Sequence, residues 1–163
     1  MIRLRPYKEN DGEVILSWCK SEEEFYKWTA GILGGYPISK VQFDLVNSLM
    51  AFTAIDEDEI VGFFTMIITG ESLDEVRFCF VIIDSTKRGK GYGKGMLQLG
   101  LKYAYEIFGA HKVSLGAFEN NTNAYRCYKS VGFQDVMDEP KCYHMLGEEW
   151  KCLELQKIRE SSS

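Results

Sequence analysis

The run Lys87-Arg88-Gly89-Lys90-Gly91-Tyr92-Gly93-Lys94-Gly95 places four glycines and four cations between two very different segments. Before it, Glu75–Ile83 is rich in Val, Ile and Phe. After it, Met96, Leu97, Gly100, Leu101, Ala104, Tyr105 and Phe108 fall on one broad face at helical spacing. The pattern predicts a strand, a loop and a helix, with the stripe on the helix serving as core. A helix start carries unpaired N–H groups and the positive end of a dipole, and glycines let an anion approach the backbone closely. The run therefore reads as a phosphate cradle.

Spacing separates the glycine loops that bind phosphates. A Walker loop requires Gly-Lys-Ser/Thr, but Lys94 is followed by Gly95, which leaves no hydroxyl for magnesium. A dinucleotide fingerprint requires Gly-x-Gly-x-x-Gly. Counted from Gly89 its last position is Lys94, and counted from Gly91 it is Met96. Arg/Gln-x-x-Gly-x-Gly is filled, by Arg88, Gly91 and Gly93.

The 163 residues suffice for one domain with its own core, over 1–163, and no repeat or linker interrupts them. Five cysteines without Cys-x-x-Cys spacing argue against a disulfide framework or a structural zinc site, and no metal is expected. The start Met1-Ile-Arg-Leu-Arg-Pro lacks the apolar core of a signal peptide, and nowhere do eighteen apolar residues run together. The expectation is a cytoplasmic protein without a membrane partner. At a net charge of -5, with its one cationic cluster in the glycine loop, the chain is not expected to bind nucleic acid.

Along the chain, Ile2 to Tyr7 reads as a first strand, stopped by Pro6 and the polar Glu9-Asn10-Asp11-Gly12. Val14–Cys19 and Glu22–Trp28 read as short helices, and Ser39 caps a further helix through about Leu49. Met50–Ile55 and Ile60–Ile68 form a hairpin around the acidic turn Asp56-Glu57-Asp58-Glu59, with Glu75–Ile83 as the next strand. Val113–Phe118 is a strand, Asn123–Ser130 a helix, and Tyr143–Leu146 with Trp150–Gln156 a final hairpin. Helices thus mix with mainly antiparallel strands, an α/β (α+β) composition.

A second block follows in Lys112–Phe133, where a strand is succeeded by Asn121, Ala124, Tyr128 and the pair Gly132-Phe133. With the loop motif, this order resembles the GNAT N-acetyltransferase superfamily over roughly residues 74 to 133. The resemblance implies a mixed sheet with helices on both faces, splayed between the fourth and fifth strands. It also implies transfer of an acetyl group from acetyl-CoA, as cosubstrate, to a primary amine. Arg88, Gly89, Lys90, Gly91, Tyr92, Gly93 and Lys94 would then hold the pyrophosphate. The backbone of Val81, Ile82 and Ile83 would bind the pantetheine arm, with Asn121 as a further contact. An N–H of that strand would also polarise the thioester carbonyl.

Tyr128 takes the role of the acid that protonates the departing thiolate. A thiol of pKa ~8.5 is a better leaving group than a phenol of pKa ~10 is an acid, so positioning matters more than acidity. An amine near pKa ~10.4 is mostly protonated at pH 7, and freeing it costs about 4.6 kcal/mol. The base is Glu75, with Glu119 its rival and Asp74 third; a solvated strand-end carboxylate is the plain reading of each, and a water chain would also serve. Asn121 reads equally as a helix cap, and Tyr128 as a packed aromatic. His111, His144 and Cys127 read as structural. Trp18, Phe25, Tyr26 and Trp28 read as core or as the wall of an acceptor pocket. The amine is open, a homodimer is possible, and a non-catalytic acyl-CoA binding domain is the alternative to an enzyme.

Overall fold

The computed structural model describes residues 1–160, so the last three positions of the expected 1–163 domain lie outside the described residues. Eight strands form a mixed, mostly antiparallel sheet flanked by helices. The strands are β1 (Ile2–Pro6), β2 (Met50–Asp56), β3 (Glu59–Thr69), β4 (Glu75–Ile83), β5 (Lys112–Phe118), β6 (Gln134–Asp135), β7 (Lys141–Met145) and β8 (Glu148–Ile158). The α-helices are α1 (Asp11–Leu16), α2 (Glu22–Thr29), α3 (Lys40–Phe43), α4 (Tyr92–Glu106) and α5 (Thr122–Val131). Contacts divide the chain into two compact units, Met1–Met66 with Phe80–Met96, and Ile67–Cys79 with the chain from Leu97.

In the first unit, β2 pairs antiparallel with β1 and β3. Glu57 and Asp58, at the hairpin tip, both have positive φ, +48° and +70°, as a tight hairpin turn with the twist of its strands requires. Val61–Met66 is buried without interruption, so β3 is covered on both faces. Tyr7, Phe25, Trp28, Phe43 and Phe63 build an aromatic core in which the Tyr7 and Phe63 rings meet edge to face at 5.6 Å.

Asp11 is a buried carboxylate of this unit. Though it lies in a polar stretch, it is 3% exposed. Its carboxylate accepts two bonds from Arg5 (2.7 and 2.8 Å), one from the Lys8 amide (2.8 Å) and one from the Thr53 hydroxyl (2.8 Å). Burial works against its charge, but these donors outweigh burial and hold the carboxyl below its ordinary range.

In the second unit, β5 pairs antiparallel with β8 along its whole length, and β6 and β7 also pair with β8. β4 and β5 run parallel, and their register pairs are Glu75 with Lys112, Val76 with Val113 and Arg77 with Ser114, all at the start of both strands. This short parallel register accords with the expected splay. Arg77 donates to Glu154 at 2.7 Å and Ser114 at 3.2 Å. Gly116 makes room there, since a Cβ would stand 2.9 Å from Cys152 Sγ and 3.3 Å from the Arg77 guanidinium.

Helix α5 ends as a Schellman motif. Gly132 (φ +110°) donates to the carbonyl of Lys129, Phe133 donates to that of Tyr128, and the Tyr128 and Phe133 rings lie 6.3 Å apart. The Gly-Phe pair of the sequence motif is therefore a helix stop.

Several boundaries differ from expectation, and the expected helix Val14–Cys19 is α1, Asp11–Leu16, which starts three residues earlier, inside the polar stretch read as a stop. The expected helix from Ser39 through Leu49 is α3 followed by a 3-10 turn, Asp44–Ser48, whose Asp44 carboxylate accepts a 2.8 Å bond from Tyr7. Helix α4 begins at Tyr92, inside the glycine run, so Tyr92 to Gly95 are helical rather than loop. β6 is two residues long, too short to leave a periodic trace.

Candidate functional site

The glycine run joins β4 to α4 within the first unit. At the end of β4, the Asp84 N–H donates to the Val61 carbonyl (2.9 Å), anchoring it to β3. The Asp84 carboxylate then accepts from the Thr86 amide (2.9 Å) and hydroxyl (2.8 Å), which shapes the turn Ser85–Lys87. Arg88, Gly89, Lys90, Gly91 and Lys94 are exposed. Gly89 and Gly91 have φ of +81° and +80°, and nothing stands within 4 Å of a Cβ built on either. Space for a ligand and freedom of the backbone coincide there.

The first bond of the helix runs from Gly95 N–H to the Gly91 carbonyl (3.0 Å). The amides before Gly95 have no partner four residues back and are therefore available to an anion.

The acidic turn is a clamp on this loop rather than a merely solvated stretch. Tyr92 donates to Asp56 at 2.6 Å, Met1 donates its terminal ammonium to the same carboxylate at 3.0 Å, and Lys87 pairs with Glu59. Behind the loop, Gly62 of β3 admits the end of β4. A Cβ there would stand 2.7 Å from Ile83 Cδ1 and Met96 Sδ and 3.2 Å from the Ile82 carbonyl.

Just before Val81, the strand is distorted. Phe80 has φ +53°, the left-handed region, which costs a non-glycine residue about 1–3 kcal/mol. A left-handed residue inside a strand breaks the regular ladder as a bulge does. The indole of Trp28 in α2 donates to the Phe80 carbonyl at 2.8 Å, and Phe80 and Ile82 pack on the aromatic core. Val81, Ile82 and Ile83 are half-buried.

The remaining expected residues belong to the second unit. Glu119 is exposed just beyond β5, and Asn121 caps α5 through a 3.4 Å bond from the Ala124 amide. Tyr128 lies in the last turn of α5, 5% exposed, and burial pushes its phenol well above the ordinary value, with Cys127 and Cys152 adding to the effect. These three follow β5 in sequence. Glu75 stands apart from them at the opening of β4, where its carboxylate pairs with Lys112 at 3.2 Å. Asp74 pairs with His111 at 3.0 Å.

Of the aromatic candidates for an acceptor wall, Trp18, Phe25 and Trp28 are buried in the core, and Tyr26 packs against it while accepting a 3.0 Å bond from the Tyr36 amide. None of the five cysteines forms a disulfide. Among the described residues, no helix is long and apolar enough to cross a membrane. Sequence reasoning missed Trp28 as a backbone ligand and Asp56 and Glu59 as anchors of the loop. The composition of the acidic turn was the available signal for the latter.

Comparison with known proteins bears on the same residues. A family model described as Acetyltransferase (GNAT) family matches residues 13–133. The spermine/spermidine N(1)-acetyltransferase of Bacillus subtilis (strain 168) is 40% identical over 52 residues, 32% of this chain and 34% of that protein. The chain thus spans about a third of the length of the curated relatives it matches.

Among solved structures, a GNAT-family acetyltransferase from Bacillus anthracis has a TM-score of 0.78 at 19% identity, covering 96% of this chain and 94% of its own. The spermidine N-acetyltransferase of Vibrio cholerae, in complex with CoA and spermine, has a TM-score of 0.80 at 18% identity, covering 96% and 95%. At such identities the likeness is one of fold.

Proposed function

This chain belongs to the GNAT acetyltransferase family, and we propose that it is an acyltransferase that moves the acetyl group of acetyl-CoA to a primary amine on a small molecule, a peptide or a protein terminus. The observation that carries the reading is the loop at the start of α4, where Gly89 and Gly91 leave open space beside the cations Arg88, Lys90 and Lys94. A diphosphate fits that donor set: main-chain N–H groups, a helix start and positive side chains. Five cysteines outside any disulfide suit the reducing, cytoplasmic setting that we infer.

Acetyl-CoA supplies an activated thioester; the chain's residues bind, orient and move protons. Arg88 and the amides from Gly89 to Lys94 hold the diphosphate. The backbone of Val81–Ile83 holds the pantetheine arm and offers an N–H to the carbonyl oxygen as negative charge develops on it. Asn121 keeps its capping bond through Oδ1, which leaves its amide N–H groups for the same arm. A carboxylate removes one proton of the ammonium, and the amine nitrogen bonds to the acetyl carbon as the carbon–sulfur bond breaks. Tyr128 gives its phenolic proton to the thiolate, and the second proton shed by the acylated nitrogen returns through water to the Tyr128 phenolate. Glu119 is the base we favour, because Glu75 is engaged by Lys112.

The names of the relatives put spermine and spermidine at the head of an acceptor panel. The test is release of CoA thiol, with the acetylated product identified by mass, for the purified chain with acetyl-CoA and each amine. Turnover with any amine supports the reading. Calorimetric binding of CoA without turnover of any amine would instead mark a silent acyl-CoA binder, and absence of CoA affinity would overturn both.

A further inference from the structure

The bond from Trp28 Nε1–H to the Phe80 carbonyl acts on more than Phe80. That carbonyl and the N–H of Val81 belong to one planar, trans peptide unit, so whatever fixes the direction of the first fixes the second, pointing the opposite way. Phe80 needs such a hold, since phenylalanine has no preference for φ +53°. Trp28 is suited to provide it. The residue is 9% exposed, and its ring meets Phe25 at 5.9 Å, Phe43 at 5.6 Å and Phe63 at 6.5 Å, so the donor is seated in a packed cluster.

We propose that Trp28 is a positioning residue for acyl transfer: by holding the Phe80–Val81 peptide plane, its indole sets the direction of the Val81 N–H that is offered to the thioester carbonyl. This rests on the acetyltransferase reading of the site. Trp28 touches no reacting atom; it acts through the backbone of β4, and the aromatic core of the first unit thereby acquires a role in rate as well as in stability.

Trp28→Phe keeps an aromatic ring and removes the donor. A misdirected amide weakens an interaction made with the developing oxyanion, so kcat falls about 10- to 100-fold with acetyl-CoA. Calorimetric affinity for CoA, which lacks the thioester carbonyl, stays within roughly threefold, because the diphosphate contacts lie beyond β4, in the loop and at the start of α4. Hydrogen exchange of the Val81 amide accelerates, and its nitrogen chemical shift moves, more than at amides of β2. Unchanged kcat, or kcat and CoA affinity falling together, overturns the proposal.

Should Trp28→Phe not fold, benzothienylalanine at position 28 makes the same comparison, replacing the N–H by sulfur at constant shape. If the unaltered chain turns over no amine, the functional reading fails by itself. The positioning claim is then decided by the Val81 amide, and unchanged exchange and shift there overturn it.

Discussion

Tyr92 donates its phenolic proton to Asp56 Oδ2 at 2.6 Å, and this charge-assisted bond ties the first turn of α4 to the tip of the β2–β3 hairpin. The phenol holds Asp56 below the ordinary carboxylate range, helped by the terminal ammonium, while Asp56 raises the Tyr92 phenol in return. The start of α4, where we propose that the diphosphate binds, is thus fixed by a residue of its own first turn. Tyr92→Phe is expected to weaken CoA binding roughly threefold to tenfold in calorimetry, with less effect on thermal stability than on affinity.

Backbone conformation and crowding make separable predictions at two glycines. Gly91→Ala meets no atom within 4 Å, but its φ of +80° is strained for any Cβ, so the loop must change shape. CoA affinity should fall about tenfold, with a thermal midpoint shifted by only a few degrees. Gly62→Ala has an ordinary φ and collides instead with Ile83, Met96 and the Ile82 carbonyl. There the thermal midpoint should fall markedly. Paired calorimetry and thermal melts of the two variants check the contrast.

Burial raises the phenol of Tyr128 above its ordinary value, which makes it a weaker acid but keeps it protonated throughout the physiological range. If it returns the proton to the thiolate, Tyr128→Phe lowers kcat about 100-fold at little change in KM. The unaltered chain then shows no falling limb from this group below about pH 10. A descending limb between pH 8 and 9 that vanishes in Tyr128→Phe would contradict the raised phenol, and an unchanged kcat in Tyr128→Phe would contradict the acid role.

Asp11 makes stability depend on acid. Its folded-state pKa is depressed, so the unfolded chain takes up the proton first as pH falls. Its contribution is complete at neutral pH and is lost as pH drops through the folded value. Asp11→Asn should destabilise by about 2–3 kcal/mol at pH 7, since it leaves Arg5 without its charge partner, and the gap should close towards pH 3. Denaturant melts of both proteins across that range measure it.

The loop was legible because its chemistry is local. Gly89 and Gly91 adopt the positive φ that glycine tolerates, and Gly132-Phe133 stop α5 through backbone bonds a few residues long. The start of α4 was less legible, because the poor helix propensity of Gly93 and Gly95 delays any periodic signal until Met96.

Long-range interactions hid the rest. Asp11, in a stretch that reads as a polar turn, is drawn inward by Arg5 and Thr53. Phe80 in the left-handed region has no residue-type signal, and the indole that holds it is 52 positions away. The pairing of Glu75 with Lys112 depends on a parallel register that joins residues 37 positions apart.

The five cysteine sulfurs, none of them in a disulfide, differ in accessibility. Cys142 is exposed, Cys79, Cys127 and Cys152 are half-covered, and burial pushes the Cys19 thiol up to about 12, so it stays protonated and inert. Brief alkylation of the native protein should mark Cys142 first and Cys19 last, and a mass ladder recorded against denaturant would report the order in which the chain opens.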